Sequence, residues 1–143
     1  MSKKNKKSKS KAEGVPRGNT YSKKEFRLKA TTYFLTYKGQ NQQDQKITKL
    51  ELKNYLVDNN PFDRTALPKK YAICQQKYES GQIHFHVILF YEKRKQILNP
   101  NYYDYKGIHP NIQHMRNLKA ALQYIKKQDP QPLANLDIHQ TLL

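Results

Sequence analysis

Two segments dense in β-branched and aromatic residues, 71–78 and 83–90, are joined by the three residues Glu79-Ser80-Gly81, with Gln82 leading into the second segment. This spacing predicts an antiparallel hairpin whose glycine occupies the last, left-handed position of a three-residue loop. Such a loop pairs Tyr78 with Gln82 and thereby fixes which side chains share a face. The fold must therefore accommodate at least this antiparallel pair of strands.

The predicted register gathers polar side chains on one face of the hairpin. Gln76 lies opposite His84 and Cys74 opposite His86, because directly paired residues point to the same side. A two-residue turn would put Gln76 on the other face. The two histidines are about 6.6 Å apart along the strand, and neutral imidazole is a common metal ligand. The residues alone allow two interpretations: a metal site completed by the Gln76 amide oxygen, or hydrogen-bonded histidines on a half-buried sheet.

The remaining periodic segments predict further strands and two helices. The apolar and aromatic segments 31–38 and 108–115 are typical of strands, whereas the charged segment 91–96 is expected to leave the sheet. Thr48 and Glu51 have the spacing of a capping box, which predicts a helix that runs to about residue 58. Helices and strands thus occur in one chain without a regular βαβ alternation.

A second predicted helix, 118–128, carries two polar residues beside its apolar stripe. Asn117 is suited to cap it, and Leu118, Leu122 and neighbouring apolar residues form the core-facing side. Tyr124 and Lys127 fall off that stripe and, being three residues apart, are neighbours on the helix flank. On these residues alone, an ordinary boundary tyrosine and a solvated lysine are the simpler explanation of the pattern.

The net charge favours a polyanionic partner. The chain has 27 Lys and Arg against 11 Asp and Glu, a formal charge of +16, and this favours nucleic acid or an anionic surface. Residues 1–29 hold eleven of the basic residues and two of the acidic ones, which predicts a disordered basic tail; the remainder still carries +7. Eleven tyrosines could stack on unpaired bases or fill the core.

Several classes of protein are disfavoured by what the sequence lacks. Cys74 is the only cysteine, so no intrachain disulfide can form and a reducing compartment is compatible. No apolar run approaches the roughly 18 residues of a membrane span, and the lysine-rich start lacks the apolar segment of a signal peptide. No membrane partner is expected.

An ordered set of motifs resembles a known family, the HUH endonuclease domain of replication initiator (Rep) proteins from circular single-stranded DNA viruses and related plasmids. The similarity is closest to the geminivirus-like branch and covers roughly residues 30–129. It is carried by FLTY at 34–37, HFH at 84–86, YIKK at 124–127, and between the last two by NPN at 99–101 and HPNIQ at 109–113.

The resemblance implies an α+β fold, with a central antiparallel sheet of about five strands flanked by helices, related to ferredoxin-like and RRM arrangements. The HUH domain would span residues 30–130, between the basic tail 1–29 and a C-terminal linker or tail at 131–143.

The resemblance also implies a reaction, the nicking and rejoining of single-stranded DNA at a hairpin origin to start rolling-circle replication. Tyr124 would attack the scissile phosphate and form a 5′-phosphotyrosine intermediate, with Lys127 steadying the phosphate or lowering the pKa of the tyrosine. His84, His86 and Gln76 would hold Mg²⁺ or Mn²⁺.

The sequence departs from the family pattern at two positions. Gln76 stands where many geminivirus relatives carry glutamate, and an amide binds a hard cation less tightly than a charged oxygen does. The acidic residue that often follows the motif lysine is replaced by Gln128. Asp129, one position later, is therefore a doubtful further ligand.

The matching motifs also imply residues that contact DNA, and with them partners and a location. The predicted DNA-binding residues are Thr36, Tyr37, Lys38, His109, Asn111 and Gln113. The family resemblance also allows duplex origin DNA as a partner. Self-association through a helicase domain outside this sequence also fits the family. The host nucleus is the expected location for a viral protein with this tail, and the cytoplasm for a bacterial plasmid initiator.

Two further alternatives concern the class of protein. No GxxxxGK[ST] phosphate loop occurs, so the chain is not itself the ATP-driven helicase that usually follows such domains; it is part of a longer initiator or a minimal one. The competing hypothesis is a non-catalytic single-stranded nucleic-acid binding module of RRM type.

Overall fold

The computed structural model describes residues 26–40, 47–58 and 67–142 of the 143-residue protein. Most of the predicted basic tail, residues 1–25, lies outside them. The described strands are β1 (Leu28–Gln40), β2 (Lys70–Lys77), β3 (Ile83–Ile97), β4 (Asn111–His114) and β5 (Leu133–Ala134). The described helices are α1 (Lys49–Lys53), which continues as a π-helical turn (Asn54–Asp58), α2 (Leu118–Gln128) and α3 (Ile138–Leu142).

These five strands form one antiparallel sheet in the order β4-β1-β3-β2-β5. β1 and β3 are the long central strands, whereas the short β4 and β5 lie at the edges. The predicted α+β fold with an antiparallel sheet of about five strands is confirmed. The strand predicted at 108–115 is shorter than expected, because Ile108 instead bridges to Tyr105 in a separate turn.

The predicted hairpin forms with the predicted register. The Tyr78 amide donates to the Gln82 carbonyl at 2.8 Å, and Gly81 has a φ of +92°, a left-handed conformation that favours glycine. Gln76 pairs with His84, and Cys74 with His86. The loop chemistry alone therefore places these side chains on one face of the sheet.

Both predicted helix starts are also confirmed. Thr48 and Glu51 form a reciprocal capping box at α1, and the Asn117 side chain accepts a hydrogen bond from the Ala120 amide at the start of α2. Leu52 is fully buried, as predicted for the core-facing side of the first helix. Capping satisfies amide groups that would otherwise have no partner in the first turn.

The sheet has a hydrophobic core on each face. One contains alternate residues of β1 and β3 together with α1, and it includes the fully buried tyrosines Tyr33, Tyr37 and Tyr103. The other packs α2 against the opposite face through Ala121, Leu122 and Ile125. Much of the tyrosine content thus fills the core, which was one of the two predicted uses.

The prediction that segment 91–96 leaves the sheet is wrong. β3 continues to Ile97 and pairs with the start of β1 after a register shift between Ala30 and Thr32. Tyr91, Lys95 and Ile97 are buried, and the Lys95 ammonium lies 5.8 Å from the centre of the Tyr91 ring. The charged residues between them face solvent, so the segment is an amphipathic strand despite its composition.

The folded structure continues past the predicted boundary at residue 130. β5 pairs with Ala72 and Ile73 of β2, and Ile138 of α3 is buried in the core beneath α2. Apolar residues in this segment cover a sheet edge and part of one core, which a free linker would leave exposed. None of the helices in the described ranges is long and apolar enough to cross a membrane.

Candidate functional site

The predicted metal ligands meet on the sheet face that α2 partly covers. Gln76 and His84 are direct cross-strand partners, and the Nε2 of His86 donates a hydrogen bond to the Gln76 Oε1 at 2.8 Å. His86 is 5% exposed, whereas His84 is only partly buried. The hairpin register therefore brings all three predicted ligands into one cluster, the ligand trio.

Burial keeps both imidazoles neutral. Desolvation, followed by the neighbouring His84, lowers the pKa of His86 from 6.5 to about 4. Desolvation and the charge of Lys38 lower the pKa of His84 below its usual value. At neutral pH each ring therefore has one nitrogen lone pair available as an acceptor or a ligand.

Tyr124 of α2 lies directly beside this trio. Its hydroxyl donates to the Gln76 Oε1 at 3.4 Å, and its ring stands perpendicular to the His86 ring with centres 5.2 Å apart. The ring also contacts Phe34, while 38% of the residue remains exposed. Packing of the apolar stripe of α2 onto the sheet thus delivers a solvent-accessible hydroxyl to the histidine cluster.

The Tyr124 hydroxyl is protonated in this environment. Burial raises its pKa above 10.0, and Tyr78 and Cys74 raise it further; Lys127 is not among the groups that shift it. Lys127 is exposed and makes no hydrogen bond or ion pair with another residue of the described ranges. Its side chain is thus available to contact an anion, which is the first of its two predicted roles. The second role, a lowering of the pKa of Tyr124, has no support in the resting protein.

Tyr78 is a member of the site that sequence reasoning missed. Its hydroxyl lies 3.5 Å from the Gln76 Oε1, and its ring contacts that of His84 at a tilt of 40° with centres 4.1 Å apart. Side chains alternate along the hairpin strand, so residues 74, 76 and 78 share one face. The predicted register could therefore have identified Tyr78 as a neighbour of the histidines. Tyr78 and Tyr124 direct their hydroxyls to the same amide oxygen.

The donor set of the trio fits a divalent cation. It combines two neutral imidazoles with an amide oxygen that is already within hydrogen-bond distance of His86. Within the described ranges, no group of three or more His, Cys, Asp and Glu side chains is arranged to hold a metal ion. Gln76 lies outside these four residue types, and its amide oxygen completes the proposed donor set beside the two histidines.

Asp129, the doubtful further ligand, has a different role. Its carboxylate accepts from the Lys49 ammonium at 2.8 Å and from the backbone amides of Gln75 and Gln131 at 3.0 and 2.9 Å. Although burial acts to raise it, these hydrogen bonds lower the pKa of Asp129 below its usual value. The residue joins the end of α2 to α1 and β2.

Four of the six predicted DNA-binding residues line one groove of about 350 Å³ along the β4 edge of the sheet. They are Thr36, Lys38, His109 and Asn111. A second groove, of about 340 Å³, is lined by Gln113 together with Thr36, His86 and Tyr124. Thr36 borders both grooves, so the two adjoin at β1.

Comparison with known proteins gives the family. Residues 26–134 match the family model of the geminivirus Rep catalytic domain. The chain belongs to this family. The match begins before the predicted boundary at residue 30 and includes β5, in agreement with the extent of the sheet.

Several viral proteins are similar to this Rep catalytic domain. Replication-associated protein A of Bean yellow dwarf virus is 34% identical over 106 residues, covering 73% of this chain and 33% of that protein. Replication-associated protein A of Tobacco yellow dwarf virus (strain Australia) is 33% identical over 104 residues, covering 73% and 32%. The chain thus spans about a third of the length of these relatives.

One predicted DNA-binding residue of this Rep domain does not reach the surface. Tyr37 is 1% exposed, and its hydroxyl donates to the Tyr103 carbonyl at 2.6 Å. Since β1 alternates, its neighbours Thr36 and Lys38 face the grooves while Tyr37 points into the opposite core. Tyr37 is a core residue that anchors the loop around Tyr103.

Proposed function

We propose that this Rep catalytic domain nicks and rejoins single-stranded DNA by transesterification, with Tyr124 as the nucleophile. The observation that carries the proposal is the convergence of Tyr124 with the ligand trio. Its hydroxyl lies 3.4 Å from the Gln76 oxygen to which His86 is bonded. A nucleophile positioned beside groups that can hold a divalent cation is an arrangement suited to phosphoryl transfer.

His84, His86 and Gln76 would hold Mg²⁺ or Mn²⁺. A bound divalent cation polarises the phosphate and stabilises the charge that develops on it. The three side chains contribute by being neutral, preoriented by the hairpin and shielded on one side by α2. The amide in place of a carboxylate predicts modest metal affinity before DNA arrives.

The Tyr124 oxygen would form a bond to the scissile phosphorus while the bond to the 3′-oxygen breaks. Because its raised pKa keeps the hydroxyl protonated at rest, the tyrosine must give up its proton during this step, and water at the exposed side of Tyr124 would take it. The departing 3′-oxygen takes up a proton and becomes the free hydroxyl. Lys127, exposed three residues further along α2, would contact the phosphate as a point charge.

The two grooves that adjoin at Thr36 would guide the DNA strand across the sheet. The first offers Lys38, His109 and Asn111 at one edge, and the second ends at Tyr124. Basic side chains supply affinity for phosphates, while amide and imidazole groups can bond to base edges. Positive charge across the whole chain assists the encounter.

We extend to this domain the role in the names of its relatives, replication-associated protein. The substrate would be a hairpin origin, the free 3′-hydroxyl would prime rolling-circle synthesis, and the viral host nucleus would be the location. A purely binding, RRM-type module is less favoured, because Tyr33, Tyr37 and Tyr103 are buried and do not form an exposed stacking surface.

A covalent-adduct assay tests the proposal. The protein is incubated with an origin-like single-stranded oligonucleotide and Mn²⁺ and then separated on a denaturing gel. We expect a slower-migrating protein–DNA species that is lost with Tyr124→Phe or a chelator. Tyr78→Phe is the matched control, because it removes a hydroxyl that lies a similar 3.5 Å from the same Gln76 oxygen. This variant should still form the adduct, since Tyr78 is not the proposed nucleophile. Undiminished binding without any adduct from the unaltered protein would contradict nuclease function and favour a binding module.

A further inference from the structure

The ring of His86 is engaged at both nitrogens. Nε2 lies 2.8 Å from the Gln76 Oε1, and Nδ1 lies 3.3 Å from the Thr36 Oγ1. Thr36 is the direct partner of His86 across the β1–β3 ladder and also pairs with Asn111 of β4. The threonine is therefore fixed by strands on both sides.

These contacts define where the ring proton lies at rest. The Gln76 oxygen can only accept, so Nε2 must carry the proton. Nδ1 then has the lone pair, and the Thr36 hydroxyl must donate to it. Two further neighbours of the ring, Phe34 and Tyr124, contact it through their aromatic rings.

Metal ligation requires the opposite tautomer. If Nε2 gives its lone pair to a cation, the ring proton must reside on Nδ1, and the group facing Nδ1 must accept it. A hydroxyl can donate in one state and accept in the other, whereas valine, of nearly the same shape, can do neither. Thr36 therefore satisfies His86 in both tautomers without any movement of the backbone.

We propose that Thr36 is a positioning residue that lets His86 exchange tautomers and present Nε2 to a divalent cation. This role goes beyond the DNA contact that the sequence assigns to Thr36, and it rests on the metal site proposed above. Outer partners of metal-bound histidines typically contribute about 10- to 100-fold to metal affinity. A similar loss is expected when the hydroxyl is removed.

The test compares Thr36→Val with Thr36→Ser in the full chain without DNA. Mn²⁺ binding is titrated by the loss of the free-ion EPR signal, and ¹⁵N NMR of the His86 ring reports its tautomer. We expect the Nε2–H tautomer in the metal-free protein, about tenfold or greater weakening of Mn²⁺ binding in Thr36→Val, and near-normal binding in Thr36→Ser. Circular dichroism confirms that each variant is folded.

Failure of this inference differs from failure of the proposed metal site. If His86→Ala weakens Mn²⁺ binding but folded Thr36→Val binds like the unaltered protein, the role of Thr36 is overturned while the metal site stands. An Nδ1–H tautomer in the metal-free, unaltered protein also overturns it, and this readout needs no variant. If the unaltered protein does not bind Mn²⁺, or His86→Ala binds equally well, the metal site itself is overturned.

Discussion

The Tyr124 hydroxyl lies 3.4 Å from the Gln76 amide oxygen, although the two residues are 48 positions apart in the chain. Two independent pieces of local structure contribute to this contact. The hairpin loop fixes the register that turns Gln76 toward the histidines, and the apolar stripe of α2 fixes the face on which Tyr124 lies. Each can be altered separately, which makes the proposed site testable residue by residue.

Gln76→Glu should strengthen Mn²⁺ binding. A carboxylate at the same position adds a charged oxygen beside the two imidazoles, and hard cations prefer charged oxygen ligands, so we expect roughly a tenfold gain in affinity. Isothermal titration calorimetry measures it. Gln96→Glu makes the same charge change at the exposed far end of β3 and should have little effect. Equal gains in both variants would show that net charge, not ligation, is responsible.

The folded protein should lose stability as the pH falls from 6.5 toward 4. An unfolded chain protonates His86 near 6.5, whereas burial and the neighbouring His84 lower its folded pKa to about 4. In this window the unfolded state binds more protons, so the free energy of unfolding decreases with falling pH. Above 6.5 the effect is absent, and below 4 it is complete.

Thermal melts of the unaltered protein and His86→Asn at several pH values test this expectation. The variant should show a shallower fall of Tm across the same window. Asp129 does not affect the comparison. Because its pKa is lowered below 3.8, the stability that it contributes is lost only at a pH below this window, where the carboxylate protonates. Parallel curves for the two proteins would show that His86 is not buried in its neutral form.

Asp129→Asn should destabilise the fold without weakening Mn²⁺ binding. The change weakens charge-assisted bonds from Lys49 and from two backbone amides, at a cost of about 1–3 kcal/mol. Urea denaturation measures it. Asp58→Asn, which removes the more exposed pair with Lys53, should cost much less. A large loss of Mn²⁺ affinity in folded Asp129→Asn would restore Asp129 as a ligand.

How far the sequence predicted this domain depends on whether each signal was local. The register of Gln76 against His84 followed from a three-residue loop that ends in glycine, and the start of α2 followed from Asn117. Both could be predicted because turns and caps act over only a few residues. The continuation of β3 to Ile97 could not be predicted in this way. It depends on a register shift between Ala30 and Thr32 of β1 and on the ring of Tyr102, in the loop after β3, which lies beside the Lys95 ammonium.

The limits at the site have the same origin. Tyr37 and Thr36 are adjacent in one motif, and only the packing of the sheet decides that Thr36 meets the histidine while Tyr37 enters the core. The contact between Tyr124 and Gln76 depends on how α2 crosses the sheet, which periodicity does not encode. Likewise, the hydrogen bond from Lys49 to the Asp129 carboxylate joins residues 80 positions apart, and no local pattern predicts it.

Lys38→Gln should reduce the salt dependence of single-stranded DNA binding. Lys38 lines the first groove, and each single-strand phosphate that a lysine no longer neutralises reduces the slope of log affinity against log salt by about 0.7. Fluorescence anisotropy over a salt series measures it. Lys70→Gln removes an exposed lysine at the opposite end of the sheet and should leave the slope nearly unchanged. Equal slopes for both variants and the unaltered protein would place the DNA path elsewhere.

The central claim is that Tyr124, among eleven tyrosines, becomes bonded to DNA. The most direct measurement is mass spectrometry of the adduct after nuclease and trypsin digestion. Cleavage after Lys119 and Lys126 leaves Tyr124 alone in the peptide AALQYIK, while Tyr78 falls in a different peptide. We predict a nucleotide remnant on AALQYIK, formed only with Mn²⁺. A remnant on the Tyr78 peptide, or an adduct that persists in Tyr124→Phe, would contradict this claim.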